Sequence, residues 1–305
     1  MAPKVQIHLP RQVYEAVAAN PDQFYRKLET GLTAQGIPAQ IVRRAPYNMA
    51  PPQDDIFHFV HQGWHRQDNV LNTGLGYIYP FWYADPWGIY GQSSIAAAVF
   101  EAPSGPEVDV FYRRTRTRLV GKRFSRYDQK AELTDLPGGV IAVFLQGNSD
   151  ILDRARHMST PDMIEAVVAA ANGRTVVFKP HPKGQTKKEL ALLDRLCRLP
   201  NVTQADANIH DILANAAVTV SISSAVALEG FLHGVPAVLC GASDLHHCAV
   251  TATDPAAIGD AIETAEAKDW PFARFLYWFL KGQLLNAGAD DLIDRVLLKM
   301  AGQGR

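Results

Sequence analysis

The sequence predicts an α/β protein with two Rossmann-like domains. The second half of the chain alternates short apolar runs with amphipathic helical segments, and the connections between them are short. Its apolar runs are continuous, as in "GVIAVFLQ" (139–146), which is typical of strands buried on both faces of a parallel sheet. The 305 residues are 47% apolar and 20% charged, which suits a globular chain with room for two domains.

The first half predicts a less regular α/β domain. Strands are expected at "KVQIHL", "PAQIVRR" and "DDIFHFVHQ", and a helical stretch at 12–36 is interrupted by Pro21. The segment 74–95, rich in aromatic residues and glycine, is interpreted as an elaborate loop. The turn-rich "TDLPGG" (134–139) indicates a boundary, which gives an N-terminal domain of residues 1–135 and a C-terminal domain of 136–305.

The second half predicts strands and helices in regular order. Strands are expected at "GVIAVFLQ", "RTVVFK", "NVTQA", "AVTVSI" and "VPAVLCG", with helices at "STPDMIEAVVAAANG", "TKKELALLDRLCRL", "IHDILANA" and "SSAVALEGFLHG". The apolar, aromatic segment 270–286 is interpreted as a packing helix that returns to the first domain, with contact to a membrane surface as the alternative.

Composition narrows the class of protein. The formal net charge is -1, without the basic excess of a dedicated nucleic-acid binder. Three widely spaced cysteines form no CxxC pair, which favours reduced thiols in a cytoplasmic protein over a zinc ribbon or a disulfide framework. There is no P-loop, no G-x-G-x-x-G and no G-x-S-x-G, which argues against a P-loop kinase, an ordinary dehydrogenase and a lipase-type hydrolase.

The stretch "TVVFKPHPKG" (175–184) places cationic and polar groups at the end of a buried strand. Lys179, His181 and Lys183 alternate with Pro180 and Pro182, which fix the backbone where the strand ends. Such a group suits an anion, most simply a phosphate. The alternative is that both lysines are solvated surface charges and the histidine pairs with a backbone carbonyl.

Ser223 and Ser224 follow another strand and begin a helix. Two hydroxyls and free N–H groups at a helix start form an anion site assisted by the helix dipole, although one serine could be only a cap. Because both features lie at strand ends of one sheet, a phosphate site is favoured. Glu229, further along the same helix, could accept hydrogen bonds from ribose hydroxyls, or could be a surface charge.

Three further carboxylate or amide positions are candidates. "FLQGNSD" places Gln146 and Asp150 just past a buried strand, although this stretch taken alone favours an ordinary turn. Asp85 lies among aromatic residues in "YADPWG", where desolvation could raise a carboxyl pKa, although this stretch alone is also a turn signal. "DLHHCAV" (244–250) is a weak metal candidate, because adjacent side chains make poor joint ligands.

Taken in order, "LQGNSD", "KPHPKG" and "SISSAVALEGFLHGVPAVLCG" resemble the bacterial capsule polysaccharide biosynthesis family, which includes retaining β-Kdo glycosyltransferases. The matching motifs are Q-x-x-x-D, H-P and S-S. The resemblance covers roughly residues 74–286 and implies a GT-B fold, with two Rossmann-like domains and the active site in the cleft between them. The N-terminal domain would be the acceptor side, and the C-terminal domain would bind the nucleotide sugar. In the segment 74–95, Tyr79 stands before Pro80 where this family usually has an arginine.

The resemblance implies a role for each matching residue. His181, Ser223 and Ser224 would bind the phosphate of a CMP-activated donor, with Gln146, Pro182 and Glu229 also on the donor side. Lys179 and Lys183 would add positive charge there. Asp150 would be the catalytic carboxylate, a candidate nucleophile, and Asp85 the acid/base.

The resulting hypothesis is a cytoplasmic glycosyltransferase that makes peripheral contact with the inner membrane or with a polysaccharide assembly complex. It would transfer a Kdo-like keto-sugar acid from CMP to a glycan or glycolipid acceptor. A CMP donor carries one phosphate, so we expect no need for a metal cofactor. Two alternatives stay open: a GT-B transferase with another donor, such as CDP-glycerol or a UDP-sugar, and a non-catalytic scaffold that binds a nucleotide or a glycan.

Overall fold

The computed structural model describes residues 4–20, 23–44, 50–147 and 150–303, without the side chains of residue 18 and residues 150–152. The described strands are β1 (Val5–Leu9), β2 (Ala39–Arg43), β3 (Phe57–His61), β4 (Val70–Leu75), β5 (Phe81–Asp85), β6 (Val140–Phe144), β7 (Val176–Lys179), β8 (Val202–Gln204), β9 (Ala216–Ser221), β10 (Ala237–Leu239), β11 (Val250–Thr251) and β12 (Leu285–Asn286). The described α-helices are α1 (Arg11–Ala19), α2 (Phe24–Ala34), α3 (Pro106–Arg116), α4 (Asp150–Ala155), α5 (Thr160–Ala170), α6 (Lys187–Leu196), α7 (Ile209–Asn215), α8 (Val226–His233), α9 (Ile258–Ala267), α10 (Phe272–Leu276) and α11 (Leu292–Ala301).

The chain divides into two compact units. Unit 1 comprises Met1–Val99 and Phe279–Arg305, and unit 2 comprises Phe100–Trp278. The sequence placed the boundary near 134–139, whereas α3 belongs to unit 2, because it packs on α8 and α10. The Tyr112 hydroxyl, for example, donates to the carbonyl of Phe231 at 3.0 Å. A turn-rich stretch marks the end of a loop as readily as the end of a domain, so it did not locate this division.

Unit 1 is built on a six-stranded sheet in the order β12-β5-β4-β3-β1-β2. Strands β1 to β4 run parallel, and β5 pairs antiparallel with both β4 and β12. One core of this unit joins strand residues to α1, α2 and the C-terminal helix α11, with Phe24 stacked on Trp82 at 4.5 Å between ring centroids. Within the parallel part, the strand order reverses direction between β1 and β3.

Unit 2 contains an all-parallel sheet in the order β11-β10-β9-β6-β7-β8. Counted from the first strand of this unit, the order is the 3-2-1-4-5-6 of a dinucleotide-binding fold. Apolar clusters lie on both faces of the sheet, which explains why its strands read as continuous apolar runs. The strand and helix order predicted for this half is confirmed.

The segment 74–95 is more regular than expected. Its middle forms β5, which pairs with β4 in antiparallel register, so that Asn72 lies opposite Asp85. The aromatic residues Phe81, Trp82 and Tyr83 are buried, which accounts for their density in the sequence. The sequence had indicated an elaborate loop, whereas these aromatic side chains fill the core next to an edge strand.

The apolar segment 270–286 forms α10, a π-helical stretch at Tyr277–Gln283 and β12. Its side chains Phe275, Phe279 and Leu284 are fully buried, as a packing role requires. In the part of the chain that the structure describes, no helix has the length and apolar character needed to cross a bilayer.

Candidate functional site

The carboxyl ends of β6 and β9 define the candidate site. Strand order in unit 2 reverses between these two strands, and sheets of this kind bind ligands outside the carboxyl ends at that switch point. Gln146 lies two residues past β6, and Ser223 lies two residues past β9. The Ser223 N–H donates to Gln146 Oε1 at 2.7 Å, so the predicted residues of the two strand ends are joined directly.

His181 is connected to the same point through Gln185. The His181 N–H donates to Gln185 Oε1 at 2.6 Å, and Gln185 Nε2 donates to the carbonyl of Gln146 at 3.1 Å. The three strand ends β7, β6 and β9 are therefore held together by amide side chains. The sequence reasoning missed Gln185, whose signal was a single amide three residues past the H-P pair.

The imidazole of His181 has a defined orientation. Its Nδ1 accepts a hydrogen bond from the Lys183 N–H at 3.1 Å, so the neutral ring carries its proton on Nε2. Partial burial lowers the pKa of His181, and the positive charges of Lys183 and Arg126 lower it further. Near pH 7 this side chain is therefore a neutral donor through Nε2 and not a cation.

Gly147 and Tyr127 shape the surroundings of this ring. A Cβ atom on Gly147 would lie 3.1 Å from His181 Nδ1, a tight contact that would require the imidazole to shift by a few tenths of an ångström. On another side, the Tyr127 ring meets the imidazole edge to face, with centroids 5.1 Å apart at 84°. The contact with Tyr127 restricts the rotation of the imidazole.

The two serines have different environments. Ser224 is 8% exposed, and its Oγ accepts from the Val226 N–H at 3.2 Å, while its own N–H donates to Ser221 Oγ at 3.2 Å. Ser224 thus accepts from the first N–H of α8 from a position just before the N-cap residue Ala225. Ser223 is half-buried, and its main chain is held by Gln146. Of the two hydroxyls, that of Ser223 is the better placed for a ligand.

Glu229 lies inside unit 2, not on the helix surface. It is 1% exposed, and burial raises the pKa of its carboxyl to about 7, opposed by a hydrogen bond from the Ser125 side chain and by the charge of Arg126. Among the residues described by the structure, Glu229 Oε1 finds no hydrogen-bond donor. Leaving a buried carboxyl oxygen unpaired is costly, so the position favours a ligand donor at this oxygen.

The segment 125–127, which was not identified from the sequence, borders both Glu229 and His181. Ser125, Arg126 and Tyr127 follow the π-helical stretch Thr117–Gly121, and the charge of Arg126 acts on both Glu229 and His181. The Arg126 guanidinium lies 5.7 Å from the centroid of the Tyr127 ring. The available signal was the alternation of arginine and aromatic residues in "KRFSRY" (122–127).

Polar contacts with α7 hold this segment in place. Arg123 Nη2 donates to both carboxylate oxygens of Asp211, at 2.8 and 2.9 Å. The carbonyl of Phe124 is 3.0 Å from His210 Nε2, whose Nδ1 is 3.0 Å from His233 Nε2. The two histidines thus form a chain of hydrogen bonds from α8 through α7 to the segment.

The lysines of "KPHPKG" differ from each other. Lys179 Nζ lies 3.7 Å from Asp206 Oδ1, and Lys130 lies 2.6 Å from the other oxygen of the same carboxylate. Burial lowers the pKa of Lys179, and the charge of Asp206 opposes this shift. Lys183 and Pro182 are exposed. Lys179 is therefore already paired, and Lys183 is the more accessible charge.

The two candidate catalytic carboxylates lie in different units. Asp150 is the first residue of α4 in unit 2, and its side chain lies outside the described residues. Asp85 ends β5 in unit 1 and is 3% exposed. Its Oδ1 accepts from the N–H groups of Trp87, Gly88 and Ser94 at 2.8, 3.2 and 2.9 Å, and its Oδ2 accepts from Ser94 Oγ at 2.6 Å. Asp85 therefore organises the turn that follows it.

Across the described residues, histidine, cysteine, aspartate and glutamate side chains form no group of three or more arranged to hold a metal ion. In "DLHHCAV", His246 Nδ1 is 2.8 Å from the carbonyl of Ser243, and Cys248 is buried. The expected metal independence stays a prediction.

Comparisons with known proteins bear on the fold. No family model matches the sequence, and no curated protein matches it. Among solved structures, a β-Kdo 2,7 transferase, KpsC of Thermosulfurimonas dismutans, is similar over 99% of this chain and 100% of its own, with a TM-score of 0.60 and 12% identity. The β-Kdo 2,4 transferase of KpsC from the same organism gives 0.54 at 14% identity and covers 90% of each chain.

A third structure, Anabaena HepE in complex with UDP and glucose, gives a TM-score of 0.44 at 10% identity over 98% of this chain and 100% of its own. At these identities the KpsC likenesses show the fold. The prediction of an α/β, GT-B-like fold with two Rossmann-like domains is confirmed.

Proposed function

We propose that this protein is a glycosyltransferase of bacterial surface polysaccharide synthesis that uses a CMP-activated, Kdo-like keto-sugar acid. The observation that carries the proposal is the joined strand-end site, where Gln146 ties Ser223 to the loop of His181 at the switch point of a dinucleotide-binding sheet. The likeness in fold to two β-Kdo transferases agrees with it.

The phosphate of the donor would occupy the space beside His181 and Ser223. His181 offers its Nε2–H, and Ser223 offers its hydroxyl next to the start of α8, where the helix dipole favours an anion. When the bond between the anomeric carbon and the phosphate oxygen breaks, CMP gains negative charge. Fixed donors at this position stabilise that charge in the transition state. Lys183 adds a positive charge at the rim, and Pro182 holds the loop.

The nucleoside would extend along α8 toward Glu229. A ribose hydroxyl that donates to Glu229 Oε1 would supply the partner that this buried oxygen lacks among the described residues. Arg126 and Tyr127 border the same region and would contact the nucleotide on its other side. Ser224 supports the site indirectly, because its hydroxyl accepts from the first N–H of α8.

The transfer step would use Asp150 as nucleophile. Its carboxylate would attack the anomeric carbon, CMP would leave, and an acceptor hydroxyl would then displace the aspartyl ester with net retention. Asp85 would take the proton of that hydroxyl. Because four hydrogen bonds also give Asp85 a structural role, its test must separate acid/base chemistry from folding.

The proposed reaction also has consequences for the metal requirement, the acceptor and the cellular location of the protein. A donor with one phosphate does not need a divalent cation to neutralise a diphosphate, so we propose activity without metal. The acceptor would be a glycan or glycolipid. The protein would work in the cytoplasm, with peripheral contact at the inner membrane or with an assembly complex.

The test is CMP release from CMP-Kdo, measured with a Kdo-terminated glycan acceptor and with EDTA present. Asp150→Asn and Asp153→Asn each remove one carboxylate from α4, and Asp153 is exposed. We expect Asp150→Asn to lose on the order of 10³-fold in turnover while it still binds CMP, and Asp153→Asn to retain turnover.

Other outcomes identify the alternatives. Equal turnover in the two variants would contradict the role of Asp150. Stronger thermal stabilisation by UDP or CDP-glycerol than by CMP would indicate another donor. CMP binding without turnover by the unaltered protein would indicate a scaffold.

A further inference from the structure

The sheet of unit 1 has a switch point of its own. Its parallel strands lie in the order β4-β3-β1-β2, so the direction of winding reverses between β1 and β3. In doubly wound sheets, ligands bind outside the carboxyl ends at that position. Polar residues that the proposed transfer does not use gather there: His8 on β1, Arg44 just past β2, and His65 in the loop after β3.

Arg44 reaches across these strand ends. Its N–H donates to the carbonyl of Leu9 at the end of β1 at 2.8 Å, and its Nη1 donates to the carbonyl of His61 at the end of β3 at 2.6 Å. The guanidinium thus extends from β2 past β1 to β3 and places a permanent positive charge at the switch point.

His65 is fixed by the neighbouring strand. Its N–H donates to Asn72 Oδ1 at 2.9 Å, and Asn72 Nδ2 donates back to the His65 carbonyl at 2.8 Å. Gly63 allows this close approach, because a Cβ atom there would collide with Asn72 Oδ1 and lie 2.9 Å from Val60 Cγ1. The loop after β3 is therefore pressed onto the sheet.

One ring nitrogen of His65 is left without a partner. The residue is 8% exposed, and its Nε2 is buried with no hydrogen-bond partner in the described parts of the chain. Burial lowers the pKa of His65, and the charge of Arg44 adds to this effect. A buried imidazole nitrogen without a partner costs free energy, so a ligand atom that pairs with it would be favoured.

His8 completes the cluster through a relay of hydrogen bonds. Asp54 Oδ1 is 3.2 Å from His58 Nε2, and His58 Nδ1 is 2.9 Å from His8 Nε2. Because the carboxylate can only accept, His58 carries its proton on Nε2 and His8 donates from Nε2. Burial, His58 and Arg44 lower the pKa of His8 to about 4, so His8 is neutral at pH 7 and its Nδ1 is an acceptor.

We propose that Arg44, His65 and His8 form a binding site for an oxyanion, carboxylate or phosphate, on a hydroxyl-bearing molecule. Arg44 and the Nε2–H tautomer of His65 donate to the oxyanion, and His8 Nδ1 accepts from a neighbouring hydroxyl. The anion site stands by itself. Its assignment to the acceptor substrate rests on the proposed function, and it names the acceptor as an acidic or phosphorylated sugar.

The site is tested by titrating the full chain, at pH 7.5, with glucuronate, glucose 6-phosphate and glucose while recording imidazole resonances by NMR. The resonance of His65 is assigned by its loss in His65→Gln. We expect glucuronate or glucose 6-phosphate, but not glucose, to shift it saturably. The ligand that binds more tightly, glucuronate or glucose 6-phosphate, identifies the oxyanion as a carboxylate or a phosphate. Saturable shifts by glucose alone, or no shift with either anion, would overturn the proposal.

Two adjacent arginines provide a matched pair. Arg43→Gln and Arg44→Gln remove the same charge one residue apart, and Arg43 is exposed. We expect Arg44→Gln to weaken anion binding at His65 at least tenfold and Arg43→Gln to leave it unchanged. Arg44→Lys, which keeps the charge, is expected to retain part of the binding and separates a loss of charge from a loss of fold. Equal affinity in the two Gln variants would overturn the proposal.

This experiment is independent of the donor site. The His65 resonance reports unit 1 alone, so failure of CMP to bind would leave an anion-dependent shift at His65 unaffected. Conversely, an unresponsive His65 in a protein that binds CMP and releases it from CMP-Kdo would refute the anion site only.

Discussion

Gln146 Oε1 accepts the Ser223 N–H at 2.7 Å and so connects the two strand ends at which the sheet of unit 2 reverses its order. This bond places a neutral acceptor beside the position proposed for the donor phosphate. A neutral amide can hold the Ser223 backbone without repelling an anion, which a carboxylate could not.

Replacing that amide with a carboxylate is therefore informative. Gln146→Glu keeps an acceptor for the Ser223 N–H but adds a negative charge, so we expect CMP affinity to fall at least tenfold with little change in thermal stability. Calorimetric titration with CMP measures the effect. Gln204→Glu adds the same charge at an exposed residue of the same sheet and is expected to bind CMP normally. Equal losses in both variants would mean that the effect is one of overall charge.

Glu229 should make the protein less stable as the pH rises. Burial raises its pKa from 4.5 to about 7 in the folded chain, so the unfolded chain ionises first. The free energy of unfolding then falls between pH 4.5 and pH 7, by about 3 kcal/mol in total, and stays level above that range. Glu229→Gln removes this fall, as urea unfolding at several pH values would show. Glu263→Gln, at an exposed position on α9, is the control and should unfold like the parent protein throughout.

The histidine pair His210 and His233, on α7 and α8, should make the protein more stable as the pH rises from 4 to 6.5. Burial, the charge of His210 and that of Arg116 lower the pKa of His233 from 6.5 to about 4. Its contribution to stability is therefore present above pH 6.5 and is lost as the pH falls toward 4, by about 1–2 kcal/mol after solvent screening. His233→Gln should flatten the dependence on acid, whereas His157→Gln, at an exposed residue, should not. An unchanged acid profile in His233→Gln would contradict the neutral pair.

Asp85 can be tested for two roles at once. Ser94→Ala removes one of its four hydrogen bonds without changing the carboxylate, and we expect a loss of about 1 kcal/mol in stability with turnover retained. Asp85→Asn should cost about 1–3 kcal/mol and should also abolish turnover if the carboxylate takes the acceptor proton. Asp68→Asn, at an exposed residue, is the control. Full turnover by a folded Asp85→Asn variant would leave Asp85 with a structural role alone.

The sequence predicted unit 2 well because its signals are local. Apolar runs of strand length, a capping residue such as Ser159 and a C-terminal glycine such as Gly234 each identify an element without knowledge of the rest of the chain. The strand-end position of His181 and Ser223 followed from the same pattern.

Contacts between distant residues were not predictable in this way. Nothing in the sequence indicates that Gln185 joins Gln146, or that Arg126 lies beside Glu229, because these pairs are 39 and about 100 residues apart. The prediction of Glu229 as a ribose acceptor missed its burial for the same reason: the segment that covers it precedes the domain boundary expected from the sequence. Likewise, His8, Arg44 and His65 come together only through the strand order of unit 1.

The proposed donor site requires that the strand ends of unit 2 bind the phosphate of CMP. The most direct measurement is calorimetric titration of the protein with CMP, together with His181→Ala and, as control, His157→Ala, an exposed histidine of the same unit. We predict micromolar binding that His157→Ala retains and that His181→Ala weakens at least tenfold, because the Nε2–H donor to the phosphate is lost. Absence of CMP binding, or equal binding by all three proteins, would contradict the proposed donor site.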